Sequence, residues 1–189
     1  MMMISPLLTI WVALAAGPSD GGLPSTDPCV EEVPADLAQL LMRKFPRYRM
    51  PAQTDQGADT LAAFERAGGK GCFSISLGDF DGDGRSDVAI ELPNRDGKSA
   101  QLVVALHREP GWVIQALPDH CKQILGCMVS AVPPGTFRRS SIVEGSARDK
   151  GEQLEIIAKH QSIASGIFEG PERVYVYEKG RWQYVWTSD

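Results

Sequence analysis

The feature that most restricts what this chain can fold into is a change of hydrophobic period at Cys72. Upstream of it, Leu37, Leu40, Leu41 and Phe45 recur at helical spacing from Pro34 onward, and Pro46 stops the pattern. This predicts an amphipathic helix of roughly three turns. A second, shorter helix is expected from Asp59 as N-cap through Leu61 and Phe64 to Gly68-Gly69. From Cys72 the period drops to that of a strand. Phe73, Ile75 and Leu77 alternate with Cys72, Ser74 and Ser76; Val88, Ile90 and Leu92 alternate with Asp87, Ala89 and Glu91. Leu102, Val104 and Leu106 form a third run and Trp112, Ile114 and Ala116 a fourth, with turns at Asn94-Arg95-Asp96-Gly97 and Glu109-Pro110-Gly111. Such spacing predicts an antiparallel meander of strands, each with one buried face. Further strands are expected near Ser141 to Gly145, Leu154 to Lys159, Arg173 to Glu178 and Arg181 to Thr187, with a loop from Gln161 to Pro171. The predicted class is α+β: one or two N-terminal helices packed on an antiparallel seven- or eight-stranded sheet that curls toward a partial barrel or sandwich.

The 189 residues carry 19 Lys plus Arg against 24 Asp plus Glu, a formal charge of -5. That balance excludes a general attraction to phosphate backbones or anionic membranes, so nucleic acid is not an expected partner. Glycine and proline together make 32 residues. This share lies below the roughly 25 to 30% typical of low-complexity chains and predicts a loop-rich globular domain.

At the N-terminus, Ile4 to Ala16 is an uncharged apolar run of 13 residues, short of the roughly 20 needed to span a bilayer. Ala13-Leu14-Ala15 places small residues where a signal peptidase reads, although Met1-Met2-Met3 lacks the usual Lys or Arg. Residues 1–16 are therefore expected to be a signal peptide cleaved after Ala15 or Ala16. A flexible linker over 17–30 and a single domain over 31–189 follow, with no transmembrane anchor after cleavage and a secreted or periplasmic location. All four cysteines, Cys29, Cys72, Cys121 and Cys127, fall after the leader, and an even count in an exported chain favours disulfides. Three connectivities are open. Cys121 with Cys127 is favoured because Gly126 and the short interval permit a tight loop, which leaves Cys29 with Cys72 to tie down the N-terminal segment. No Cys-x2-Cys pair is present, and His107, His120 and His160 lack zinc-ligand spacing.

The segment Gly78-Asp79-Phe80-Asp81-Gly82-Asp83-Gly84-Arg85-Ser86-Asp87-Val88 carries the sharpest chemical signal. Carboxylates at loop positions 1, 3, 5 and 9, supplied by Asp79, Asp81, Asp83 and Asp87, can converge on one centre with the Arg85 carbonyl at position 7. Gly84 at position 6 permits the sharp turn. An all-oxygen donor set points to Ca²⁺. Position 12 is Ile90, where an EF-hand carries a bidentate Glu, so the cation is expected in a hairpin between two strands, over 78–88. Two carboxylates ~5 Å apart repel by roughly 1 to 3 kcal/mol at effective dielectric constants of about 80 to 20. Four of them converging without a cation would cost several times that.

At these residues the chain resembles the FG-GAP and VCBS repeats, whose blades carry a Gly-Asp-φ-(Asn/Asp)-Gly-Asp-Gly-x-x-Asp calcium loop. The resemblance implies that Asp79, Asp81, Asp83 and Asp87 are calcium ligands and that Arg85 contributes its carbonyl. It covers about 20 residues, lacks the family's Phe-Gly and Gly-Ala-Pro signatures, and occurs once. A closed propeller, which needs about four blades, does not fit. The arrangement is similar to small exported bacterial proteins with a solitary repeat and no assigned activity.

Five of the eight Trp and Tyr residues lie between Tyr175 and Trp186. A two-residue Lys179-Gly180 turn needs positive φ at Lys179, whereas a three-residue Glu178-Lys179-Gly180 loop needs it only at Gly180. The three-residue loop is therefore expected, pairing Tyr177 with Arg181 and placing Val174, Val176, Trp182, Tyr184 and Trp186 on a core face. The alternative register gathers all five aromatics into one strip, as a glycan-binding platform would.

The sequence contains no Gly-x-Ser-x-Gly, His-Glu-x-x-His, Gly-x4-Gly-Lys-Ser/Thr or Gly-x-Gly-x-x-Gly. Glu144, Asp149, Glu152, Glu155 and Glu169 are the carboxylates from which an acid and base pair for glycan chemistry would be drawn. They read instead as solvated charges. The expected function is an exported, non-catalytic module in which Ca²⁺ stabilises a β-hairpin, interacting with a protein or glycan partner outside the cytoplasm. The alternatives are a secreted hydrolase acting on glycan or peptide, and a carbohydrate-binding module using the C-terminal aromatics.

Overall fold

The computed structural model describes residues 27–141 and 148–187. The expected signal peptide over 1–16, the expected linker as far as residue 26, Glu144 and nearly all of the strand expected at 141–145 lie outside the described residues.

The chain enters through a single helical turn, α1 (Pro28–Glu31), where the Asp27 side chain accepts the Cys29 N–H at 2.9 Å. Helix α2 (Ala35–Lys44) follows, with Asp36 in its first turn and Arg43 and Lys44 in its last, charges that complement the helix dipole. Its buried residues are Leu37 and Leu41, one turn apart on one face. Helix α3 (Ala58–Arg66) has Gly57 as its N-cap with no side-chain cap bond, and the expected cap Asp59 lies inside its first turn. It is held through Phe64, whose ring packs edge-on against Phe73 at 5.1 Å.

Ten strands are present among the described residues, in three antiparallel sheets. β1 (Ile75–Gly78), β2 (Asp87–Pro93), β3 (Ala100–Arg108) and β4 (Gly111–Cys121) form the expected meander. β5 (Cys127–Val132), β8 (Ser162–Ile167), β9 (Glu172–Glu178) and β10 (Arg181–Trp186) form a second sheet in the order β10-β9-β8-β5. β6 (Gly135–Arg138) and β7 (Glu155–Ala158) make a separate hairpin inserted between β5 and β8. The α+β class holds, but the single seven- or eight-stranded sheet does not form. The strands are divided four, four and two, because three apolar layers have to be buried.

Those layers follow from the core. Leu37 and Leu41 pack with Val88, Ile90, Leu92, Val103 and Ala105 on the outer face of the first sheet. Its inner face, with Ala89, Leu102, Val104, Leu106 and Leu117, meets Val129, Ile163, Tyr175 and Tyr184 of the second sheet. The far face of the second sheet, through Ala164, Val174, Val176 and Val185, is covered by Ile156, Ala158 and Phe137 of the β6–β7 hairpin. Sandwiched on both sides, β2 is buried along its whole length. The alternation of Asp87, Ala89 and Glu91 with apolar residues therefore does not point at water as expected. It points at the second sheet, where Asp87 is fully buried and Glu91, 1% exposed, accepts a hydrogen bond from Ser165 Oγ at 2.7 Å.

Strand β8 replaces the loop expected over 161–171. Its Ser-Ile-Ala-Ser-Gly-Ile sequence lacks alternation because Ser162, Ile163, Ala164 and Ser165 are all buried, on both faces. The disulfides are Cys29–Cys72 and Cys121–Cys127, with Cα separations of 4.7 and 6.0 Å, the favoured pairing. No helix among the described residues is long and apolar enough to cross a membrane.

The register of the C-terminal hairpin is the alternative one. Arg181 pairs with Glu178, Trp182 with Tyr177 and Tyr184 with Tyr175 across a two-residue Lys179-Gly180 turn. Lys179 adopts φ 52° and Gly180 φ 83°. The expected pairing of Tyr177 with Arg181 is therefore wrong by one residue, and the five aromatics do share a face. That face turns inward: Tyr175 and Tyr184 are buried between the sheets, while Trp182, Tyr177 and Trp186 are half-buried toward the rim. A left-handed conformation costs a side chain with Cβ roughly 1 to 2 kcal/mol, and asparagine tolerates it best after glycine. Lys179→Asn is expected to raise the unfolding free energy by about 1 kcal/mol with an unchanged urea m-value. A destabilised variant would mean that the turn is not of this type.

Candidate metal centre

The acidic loop leaves β1 at Gly78 and enters β2 at Asp87. Phe80 anchors it, fully buried in the core between the sheets. Its ring folds under Gly78, where a Cβ would come within 2.7 Å of it. Gly82 and Gly84 both take positive φ, 77° and 86°, conformations that glycine adopts without strain. His160 lies across Gly82, and the neighbouring Gln161 accepts the Asp79 N–H on its side-chain oxygen at 2.9 Å. The loop is thus seated on the turn between β7 and β8.

Every carboxylate in the loop accepts backbone N–H groups. Asp79 takes those of Gly82 (2.8 Å) and Gly84 (3.0 Å), Asp81 that of Asp83 (3.2 Å), and Asp83 that of Arg85 (2.9 Å). Asp87 accepts from Phe80 and His107, each at 2.8 Å. Asp81 also receives Nε and Nη2 of Arg108 at 2.9 and 2.6 Å. Its side chain is 1% exposed.

The structure draws Asp79, Asp81 and Asp87 together, with one carboxylate oxygen of each within 4.8 Å of the others. Asp83, exposed at the tip, is outside this group. Oxygens that ligate one Ca²⁺ at about 2.3 to 2.6 Å lie at most about 5 Å apart, so the three fit a common centre. Their formal charge of three, less that of Arg108, matches a divalent cation. Burial pushes the Asp87 carboxyl up from 3.8 to about 6, against the two N–H bonds it accepts and with help from the charges of Asp81 and Asp83. A buried carboxylate beside other carboxylates is the electrostatic setting that a cation relieves.

Sequence spacing offered no route to Arg108 or Gln161, which reach the loop from β3 and from the β7–β8 turn. His107 contributes its backbone N–H to Asp87, and its ring stacks on Trp112 at 4.4 Å. Of the carboxylates considered for acid and base roles, Asp149 pairs with Arg173, Glu152 with Arg139 and Glu155 with Arg138. Glu169 sits at φ 56° in a surface turn. A second described group, Glu91 with Cys121 and Cys127, offers no thiolate, because both sulfurs are in the disulfide. No protein-family model, no curated protein and no solved structure matches the chain.

Proposed function

We propose that this chain is a calcium-stabilised module that works outside the cytoplasm without catalysing a reaction, with Asp79, Asp81 and Asp87 as the core of the cation site. The observation that carries the reading is the convergence of those three carboxylates, one of them fully buried. The FG-GAP-like spacing of the loop supports calcium. Asp83 and the Arg85 carbonyl would join when the tip closes on the ion. The two disulfides agree with an oxidising compartment, and in this reading the uncharged apolar run Ile4–Ala16 would act as the export signal. The cation would hold together the start of β2, the end of β1 and, through Gln161, the second sheet.

The test is thermal unfolding in chelator and in calcium. At a calcium concentration about 100 times Kd, binding to the native state alone adds ~2.7 kcal/mol. For a domain of this size that is a Tm rise of roughly 5 to 10 °C, abolished by Asp79→Ala with Asp81→Ala. Identical melting curves from chelator to ~10 mM calcium, about tenfold above the ~1 mM Kd of the weakest extracellular sites, would refute the proposal. The increment also has a predicted pH dependence. The native carboxyl of Asp87 titrates near 6 against 3.8 ordinarily, so between those values the native state holds more protons than the unfolded one. The Asp87 contribution therefore falls as pH rises through this window, by up to ~3 kcal/mol in the absence of metal. A bound cation offsets that loss. The calcium increment should grow from pH 4 to pH 6 and level off above about pH 7.

A further inference from the structure

The last residue of β3 reaches the acidic loop from a different sheet position. Leu102, Val104 and Leu106 line the inner face of the first sheet, and the two-residue period of a strand carries Arg108 onto that same face. There it meets β9. Its Nη2 donates to the Tyr177 hydroxyl at 3.3 Å, and the guanidinium carbon stands 5.6 Å from the centroid of that ring. Tyr177 packs in turn on Trp182 at 5.0 Å, both against the core between the sheets. Arg108 is therefore positioned by two strands that lie outside the loop.

Its charge is delivered to one atom. Nε and Nη2 both point at Oδ2 of Asp81, while Oδ1 of that carboxylate accepts the longer bond from the Asp83 N–H at 3.2 Å. Arg85, the cation within the loop, turns away to Glu109 at 3.4 Å. Among the described residues Arg108 is thus the one cationic side chain paired with a loop carboxylate. The pair is asymmetric, since the Asp81 side chain is 1% exposed and that of Arg108 43%. Shortening the arginine would leave no cavity, but it would leave a buried negative charge without its counter-charge.

We infer that Arg108 is the resident counter-charge of the cation centre, the residue that holds its affinity down and sets its preference for divalent over trivalent ions. The inference rests on the reading of Asp79, Asp81 and Asp87 as a cation site. Those three carboxylates carry three negative charges, and Arg108 cancels one. Ligand charge count is one of the two quantities that tune calcium affinity. A unit charge bonded to a ligand carboxylate would sit roughly 5 Å from the ion, and at a water-like dielectric its repulsion lowers calcium affinity by about tenfold. The repulsion scales with the charge of the ion, so the same arginine lowers the affinity for a trivalent ion by about thirtyfold. The sign is the same whether or not Asp83 joins the ligands. Without metal the guanidinium does the opposite and stabilises the loop, by partnering the buried Asp81.

The test compares the full chain with Arg108→Gln, which keeps a hydrogen-bond donor and loses the charge, and Arg108→Lys, which keeps the charge and loses the fork. Calcium is titrated by calorimetry and terbium(III) by its sensitised luminescence. Arg108→Gln should bind calcium about tenfold and terbium about thirtyfold more tightly, raising the terbium-to-calcium affinity ratio about threefold, and added salt should shrink these gains. Arg108→Lys should stay within about threefold of the native chain for both ions. In chelator, urea unfolding should show Arg108→Gln to be the less stable protein. Lower stability without metal combined with tighter metal binding separates a counter-charge from a merely structural arginine, whose loss would weaken both. If neither the native chain nor Arg108→Gln binds calcium up to ~10 mM, the cation site itself is refuted and the inference falls with it. If the native chain binds calcium and Arg108→Gln binds it equally or more weakly, if the ion ratio is unchanged, or if Arg108→Lys behaves as Arg108→Gln does, the site stands and the inference alone is overturned.

Discussion

Truncating Tyr175 to alanine is expected to cost ~3 to 5 kcal/mol, the range for deleting a large aromatic side chain from a packed core. Tyr175 is fully buried, its ring lies 5.5 Å from that of Tyr184, and both pack against Leu102, Val104 and Ile163 between the two sheets. Trp182 faces the same side but lies half-buried at the rim, where its indole N–H donates to Gln115 at 2.9 Å and its ring packs on Tyr177 at 5.0 Å. Trp182→Ala should therefore cost only about 1 to 2 kcal/mol. The order of these two losses is the informative quantity. A hairpin closed by a three-residue loop would put Trp182 in the core and Tyr175 on a wet face, and would reverse it. Urea unfolding of the two variants decides between the registers, and a larger loss at Trp182 would reject the one described here.

Removing the long disulfide, as Cys29→Ser with Cys72→Ser, is expected to cost about 4 kcal/mol from loop closure alone, because the bridge spans 43 residues. That segment contains α2, α3 and all of α1 but Pro28, and both sulfurs lie in the cluster with Leu37, Leu41 and Ile75. The bridge is reinforced locally, since Glu32 accepts the Cys72 N–H at 2.7 Å and Asp27 accepts the N–H groups of Cys29 and Gln53. The Cys121–Cys127 bridge spans only 6 residues, and the same relation gives ~2.2 kcal/mol for it. Chemical denaturation of the two double variants should show the first loss clearly exceeding the second. Equal losses would mean that the helical layer does not depend on its tether to β1.

Several features of the molecule could be read directly from local chemistry. Helix α2 is set by Leu37 and Leu41 one turn apart, with prolines at both ends, and the β1–β4 meander by apolar alternation between turn residues. The acidic loop is legible because backbone-bound carboxylates and glycines at fixed offsets specify their own conformation, whatever surrounds them. The pairing of Cys121 with Cys127 follows from chain proximity.

What the tertiary structure decided lies where local and distant energies conflict. At Lys179 the local cost of a left-handed residue, roughly 1 to 2 kcal/mol, argues for the longer turn. The shorter turn is adopted because it alone buries Tyr175 and Tyr184 between the sheets and Val174, Val176 and Val185 against the β6–β7 hairpin. Each such side chain contributes about 1.5 to 3 kcal/mol, so the sum outweighs the turn. Strand β8 could not be seen for a related reason: a strand covered on both faces has no alternation to display. The same two-sided burial places Asp87 and Glu91 inside the protein, although their spacing suggests a solvent face. Arg108 and Gln161 reach the acidic loop only because two sheets, formed from segments far apart in sequence, stack with that loop at their common edge. No periodicity along one segment encodes such a meeting, since the energy that fixes it is the burial of a face shared by many segments at once.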